Sequence, residues 1–101
     1  MARFDVYPMP GRGQAGYVVD AQAALLDRLA TRIVAPLLPP GDAPPPISDL
    51  NPVFEIADQP FMLTTQALAA IPRRELGRAV ASLADQQDRI IRALDILLTG
   101  F

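Results

Sequence analysis

The chain has 101 residues and a net charge of −2, and half of its residues are apolar. Nine arginines stand against eleven acidic residues, with no lysine, histidine or cysteine, which excludes disulfides, thiol chemistry and zinc sites of ordinary composition. This charge balance argues against sequence-independent binding of nucleic acid, which needs a clustered positive surface. With no signal-like or membrane-spanning apolar run, the sequence predicts one soluble, cytoplasmic domain over residues 1–101.

The first part of the chain has the pattern of short β-strands. Alternating apolar and polar residues predict a first strand over 3–7. A loop rich in glycine and proline, over 8–16, separates it from an apolar run over 16–22, so the two strands are expected to form a hairpin. A third strand, rich in β-branched residues, is predicted over 31–38.

The middle of the chain combines a proline-rich loop with a second hairpin. Residues 38–46 contain five prolines, and because proline fixes φ and supplies no N–H donor, this segment is predicted to be a stiff extended loop. Two strand-like runs, over 52–56 and 61–65, flank the turn 57–60. This arrangement predicts a second hairpin with Pro60 at the start of a strand.

After Pro72 the apolar residues take a helical period. The spacing predicts an amphipathic helix whose apolar face carries Leu76, Val80, Leu83, Ile90, Leu94 and Leu97. Gly77 weakens the first turn and favours a helix start nearer Leu83, and Gly100 is placed as the left-handed residue that ends the helix. Ile91 and Leu98 form a second apolar line beside the main one. The predicted class is a β-rich α+β fold with a C-terminal α-helix.

The residues that catalytic sites most often use are missing. Without histidine, cysteine or lysine, the familiar pairs of nucleophile and base cannot be built. Asp85 and Asp88 lie one helical turn apart and could hold magnesium, but acidic residues near a helix start are typical of a solvated face. The run Gly11–Gly13 lacks the lysine and the following helix of a phosphate-binding loop. We therefore predict a binding protein, with no catalytic residues, metal or cofactor.

Several segments, taken with their order and spacing, resemble the CcdB family of toxins. They are FDVY (4–7), VDAQ (19–22), LLDR (25–28), RIVAPL (32–37), NPVFEI (51–56) and TTQALAAIP (64–72), followed by a final glycine and one apolar residue. The resemblance covers nearly the whole chain, with about one deletion in the proline-rich loop. It implies an SH3-like antiparallel β-barrel with a C-terminal α-helix, in agreement with the predicted order of strands and helix.

The resemblance also implies a function. Proteins of this family are the toxins of type II CcdA/CcdB toxin–antitoxin pairs, which poison DNA gyrase by binding its GyrA polypeptide. The implied partners are a second copy in a homodimer, GyrA and a CcdA-like antitoxin, with DNA contacted only indirectly through the antitoxin complex; the implied roles are plasmid maintenance and transcription regulation. The implied gyrase-binding residues are Leu25, Leu26, Asp95, Leu98, Thr99, Gly100 and Phe101. Thr99 stands where the family has a tryptophan that stacks on an arginine of the enzyme.

The antitoxin of the family folds a disordered segment over the toxin and competes with gyrase. The implied antitoxin-binding residues lie in two loops and are Met9, Pro10, Gly11, Arg12, Gly13, Gln14, Asp42, Pro44 and Pro46; plain connecting loops are the simpler interpretation. Two alternatives stay open for the function. One is a chromosomal CcdB-like protein that keeps antitoxin binding but has weak or no gyrase toxicity. The other is a MazF-like ribonuclease, because MazF toxins share the barrel.

Overall fold

The structure of the protein is a computed structural model that describes residues 2–11 and 15–100. The described residues form seven β-strands and one α-helix, joined by loops and short 3-10 turns. The elements are β1 (Asp5–Pro8), β2 (Tyr17–Asp20), β3 (Thr31–Leu38), β4 (Val53–Ile56), β5 (Gln59–Leu63), β6 (Ala69–Pro72), β7 (Ala81–Ser82) and α1 (Gln87–Thr99).

The strands form one antiparallel sheet around β3. The order is β4-β5-β3-β2-β1-β7, and β6 also pairs with β3. Along one edge of β3 lies β2, while the other edge pairs with β6 at its first four residues and with β5 at Leu37 and Leu38. The sheet curls into a nearly closed barrel with α1 packed against it, which confirms the predicted α+β class and SH3-like barrel.

Apolar residues on the two faces of the strands form two separate clusters. Because successive strand residues point to opposite faces, Val19 belongs to one cluster and Val18 to the other. The larger cluster includes Phe54 and Leu37 and is covered by α1, whose Ile90 and Ala93 are fully buried. The buried members of the smaller cluster are Tyr7, Val18, Val34 and Leu76.

An ion pair lies in the interior between β2 and β3. Arg32 and Asp20 are both fully buried, and the Arg32 Nε and Nη2 atoms donate to Asp20 Oδ2 at 3.1 and 2.5 Å. Arg32 Nη1 also donates to Asp27 Oδ1 at 2.9 Å, at the more exposed end of the network. Burial raises the pKa of the nearby Tyr7 phenol, and the Asp5 and Asp20 carboxylates add to the rise. The Tyr7 hydroxyl therefore stays protonated at neutral pH.

The turn between β4 and β5 is strained. Its two central residues, Ala57 and Asp58, have φ values of 53° and 65°, as a two-residue type I′ hairpin requires. Such turns favour Asn-Gly or Asp-Gly because a side chain is unfavourable at positive φ. The hairpin thus forms although its second turn position lacks glycine.

Replacing Asp58 by glycine should raise the free energy of unfolding by about 0.5–1 kcal/mol, since relief of strain outweighs the greater freedom of glycine in the unfolded chain. The effect would be measured by urea denaturation. Asp42→Gly is the matched control, because Asp42 lies in a 3-10 turn and is not among the positive-φ residues. Equal or lower stability of Asp58→Gly than of the wild type would show that the turn is unstrained.

The predicted start of the C-terminal helix is wrong. The helix begins at Gln87, eleven residues after Leu76, and a 3-10 turn over Ala84–Gln86 leads into it directly after Leu83. Leu76 and Leu83 are buried, but they belong to different clusters, and the strand β7 between them pairs with β1. The helical spacing of these leucines is therefore coincidental, because the chain crosses from one apolar cluster to the other.

Other boundaries follow the predictions more closely. The strand over 31–38 and both hairpins are confirmed, as is the left-handed Gly100, whose N–H donates to the Asp95 and Ile96 carbonyl oxygens. The first strand starts only at Asp5, since Phe4 has a φ of 71°. The strands β6 and β7 were not predicted.

Candidate functional site

The loops of the protein gather at the two ends of β3. The chain leaves β2 and enters β3 through residues 21–30, and we call this end the leucine end. The opposite end carries residues 9–11 and 15–16 and the loop 39–46, and we call it the loop end. Strand β3 has eight residues, so about 23 Å of strand lie between the two ends.

Three exposed leucines project from the segment at the leucine end. Leu25 is 91% exposed, Leu26 45% and Leu29 47%. The segment is held by polar contacts: the Gln22 amide donates to the Leu26 carbonyl oxygen at 2.8 Å, and Arg73 Nη1 donates to the Asp27 carbonyl oxygen at 2.9 Å. Apolar side chains thus face water on a segment whose backbone is fixed.

An apolar groove runs between this segment, β3 and α1. It encloses about 450 Å³. Its apolar lining consists of Ala21, Ala23, Leu26, Leu29, Ile33, Leu68, Ile91, Leu94 and Leu98, and its polar lining of Arg3, Gln22, Thr31 and Asp95. Exposed apolar surfaces of this kind are typical of protein–protein contacts and of ligand-binding grooves.

The structure brings three of the seven candidate gyrase-binding residues together in this groove: Leu26, Asp95 and Leu98. Leu25 lies at the same end but does not line the groove. The groove also contains the second apolar line of the helix, Ile91 and Leu98. Leu98 is 70% exposed and lies outside the core, whereas Ile91 is half-buried and also packs against the larger cluster.

The end of α1 carries the remaining candidates. Thr99 is exposed, and its hydroxyl donates to the Asp95 carbonyl oxygen at 2.6 Å. With the hydroxyl used inside the helix, the methyl group is the part of Thr99 left for a partner. Gly100 ends the helix, and Phe101 lies outside the described residues.

The two loops with candidate antitoxin-binding residues meet at the loop end. Tyr17, the first residue of β2, pairs with Leu37 near the end of β3, so the chain before β2 and the chain after β3 are neighbours. A Cβ atom on Gly16 would lie 2.5 Å from the Leu37 carbonyl oxygen, and the φ of Gly16 is 103°. This close approach requires glycine.

Most of the candidate antitoxin-binding residues are accessible. Met9 and Pro10 are half-buried, and the exposed candidates are Gly11, Asp42, Pro44 and Pro46. Arg12, Gly13 and Gln14 lie outside the described residues.

Sequence reasoning missed several residues that line the groove, including Leu29, Ile33 and Leu68. Ile33 shares a strand face with the buried Ala35 and Leu37 but is itself 37% exposed. The one hint in the sequence is that both faces of the predicted strand are apolar. A fully buried strand has the same pattern, so the exposure of Ile33 could not be predicted.

Neither a metal site nor a membrane-spanning helix is found in the part of the chain that the structure describes. Across residues 2–11 and 15–100, no group of three or more carboxylate side chains could hold a metal ion. No helix within these ranges is long and apolar enough to cross a bilayer.

Comparison with known proteins identifies the family. The model of the family described as "CcdB protein" matches residues 3–100, almost the whole chain. The chain belongs to the CcdB family. It is therefore a toxin of the kind found in toxin–antitoxin systems.

Two solved structures have a similar fold. One is described as an endoribonuclease in complex with its cognate antitoxin from Mycobacterial species; it has a TM-score of 0.77 at 14% identity, covering 97% of this chain and 94% of the other. The second is the Mycobacterium tuberculosis toxin MazF-mt6, with a TM-score of 0.72 at 17% identity, covering 92% and 94%. At these identities the likeness shows a shared fold and nothing more.

Proposed function

We propose that this CcdB-family toxin acts by binding and not by catalysis. It forms a homodimer, binds the GyrA polypeptide of DNA gyrase through the leucine end, and is neutralised by a CcdA-like antitoxin that contacts the loop end. The observation that carries the proposal is the exposed apolar surface of the leucine end. There Leu26, Asp95 and Leu98 line the groove that a second copy would cover, while Leu25 lies outside it and stays free for gyrase.

The apolar groove supports the homodimer. The lining residues Ile33, Leu29 and Leu68 come from β3, from the segment 21–30 and from the turn before β6, and burial of their exposed apolar area favours association. A second copy related by a two-fold axis would cover the same surface on both molecules. It would also bring the two α1 ends close to one another, doubling the surface offered to gyrase.

The exposed Leu25 and the end of α1 support the gyrase contact. Leu25 is almost fully exposed and does not line the groove, so it stays free when a second copy fills the groove. Thr99 weakens the contact relative to other family members, because a methyl group offers far less buried area than an indole. Loss of a central aromatic residue commonly costs at least about 2 kcal/mol of binding free energy.

Thr99→Trp should strengthen inhibition of gyrase by roughly thirtyfold, the equivalent of about 2 kcal/mol. Removing Phe101 should abolish the inhibition that the wild type shows. Both effects would be measured as the protein concentration that halves DNA supercoiling by gyrase.

Each variant is first compared with the wild type by its melting temperature, which should not change because Thr99 is exposed. Asp88→Trp provides a control for added aromatic area at an exposed helix position outside the groove. If Thr99→Trp gains nothing, or if truncation leaves inhibition intact, the helix end is not the gyrase contact. The weakly toxic or non-toxic homologue would then be the better interpretation.

The two adjacent loops support antitoxin binding at the loop end. The exposed prolines of the second loop offer apolar area with little backbone freedom to lose on binding. A cognate antitoxin peptide should therefore bind even where toxicity is weak, with the negative ΔCp of apolar burial.

A ribonuclease is the second candidate, because the fold is shared with a structure described as an endoribonuclease. The closest pairing of arginine and carboxylates in the described residues is Arg32 with Asp20 and Asp27, and both Arg32 and Asp20 are fully buried. RNA could not reach these two groups in the folded protein. An RNA-cleavage assay on the same preparation separates this candidate from the gyrase inhibitor.

A further inference from the structure

A second concave surface lies on the other flank of α1. It encloses about 260 Å³ and is lined by Asp49, Pro52, Arg89 and Arg92. Each helical residue turns about 100°, so Ile91 of the apolar groove lies roughly 200° around the helix from Arg89. The two concave surfaces share no lining residue, so filling the groove leaves the lining of the arginine pocket exposed.

Contacts at the edge of the arginine pocket hold the Arg89 side chain in one orientation. Its guanidinium carbon lies 4.5 Å from the centroid of the buried Phe54 ring. Nη1 donates to the Gln86 side-chain oxygen and Nη2 to the Val53 carbonyl oxygen, each at 2.9 Å. A guanidinium has five N–H donors, and among the described residues these hydrogen bonds use two. The others are available to a ligand with little loss of side-chain entropy.

The second arginine is one helical turn away. Arg92 donates to Asp49 Oδ2 at 3.2 Å in a pair with both side chains more than half exposed. Neighbours three apart on a helix surface lie close enough to share a ligand. Two guanidinium groups and one carboxylate give the pocket a net charge of +1.

We propose that this pocket binds a single carboxylate side chain from an acidic segment of a protein partner. Arginine forks match a carboxylate in geometry and charge. A carboxylate, with charge −1, balances the charge of the pocket lining, whereas a phosphate dianion would leave a net charge of −1 beside Asp49. Pro52 offers an apolar surface for the methylene groups of the partner side chain, and the pocket volume is below that typical of sites for larger organic ligands.

The test uses two peptides and an inorganic anion on the full chain at low salt. One probe is a blocked pentapeptide with a central glutamate among alanines, the second has glutamine in its place, and the third is inorganic phosphate. We expect saturable shifts of the Arg89 and Arg92 Nε–H NMR signals with the glutamate peptide and none with the glutamine peptide. Phosphate should bind more weakly than the glutamate peptide.

Four variants make the assignment specific. Arg89→Gln and Arg92→Gln should each weaken binding of the glutamate peptide about fivefold. Asp49→Asn should strengthen it about threefold, because the competing carboxylate is removed. Arg74→Gln, at another exposed arginine, should leave it unchanged.

The proposal does not need the gyrase contact or the dimer, so its outcome is independent of theirs. Arg89 also contacts β4 of the barrel. If Arg89→Gln fails to fold for this reason, Arg92→Gln and Asp49→Asn test whether the pocket binds the peptide. Equal shifts with the glutamine peptide, tighter binding of phosphate, or an Arg74→Gln effect as large as that of Arg92→Gln would each overturn it.

Discussion

Replacing Arg32 by methionine should lower the free energy of unfolding by about 3–5 kcal/mol. The substitution leaves the fully buried Asp20 without its cation, and a buried charge that loses its partner is strongly unfavourable. Asp27 also loses a contact, but it is partly exposed and water can replace that partner. The effect would be measured by urea denaturation at a fixed protein concentration, because a dimer gains stability with concentration.

Two controls separate the charge effect from the loss of a large side chain. Arg92→Met breaks an exposed ion pair and should change stability by no more than about 1 kcal/mol. The double variant Asp20→Leu/Arg32→Met removes both charges and should be more stable than Arg32→Met alone. If the double variant is less stable than Arg32→Met, the hydrogen bonds between Arg32 and Asp20 stabilise the fold beyond the neutralisation of their two charges.

Replacing Ile33 by glutamate should convert the proposed homodimer to a monomer. Ile33 lines the apolar groove, and in a two-fold dimer each interface would contain two of the new charges. At a conservative cost of about 1.4 kcal/mol for each charge, the dissociation constant rises on the order of 100-fold. Light scattering over a range of protein concentrations measures this change.

The matched control is Ile47→Glu, which places the same charge at an exposed isoleucine outside the groove. This variant should associate as the wild type does. A wild type that is monomeric at tens of micromolar, about tenfold above a Kd near 1 μM, would refute the dimer. Equal dissociation of the two variants would show that the groove is not its interface.

Local sequence signals predicted the parts of the fold that depend on neighbours in the chain. The β-branched residues of Thr31–Leu38, the two hairpins and the C-cap at Gly100 are all signals between residues within a few positions of one another. The start of α1 was not predicted correctly. Leu76 and Leu83 have helical spacing in the sequence, but the strand β7 lies between them and pairs with β1. The strand β6 has small residues and no alternation, so it becomes a strand only through pairing with β3.

The candidate sites divide in the same way. Leu26, Asp95 and Leu98 could be named in advance because the family resemblance carries them. Ile33 and Leu68 join them in the groove only through the pairing of β3 and the path of the chain around it. The arginine pocket depends on a contact between Asp49 and Arg92, 43 residues apart, and no short pattern in the sequence signals it.

The polar contacts that hold the segment 21–30 affect how fast a partner can associate. A disordered binding loop must become ordered before or during docking, which slows productive encounters and makes their rate depend on a folding step. Here Gln22 and Arg73 have fixed the backbone around Leu25 before any partner arrives. Association at this end should therefore be limited by diffusion and orientation, at roughly 10⁵–10⁷ M⁻¹s⁻¹, and should vary with solvent viscosity more than with denaturant.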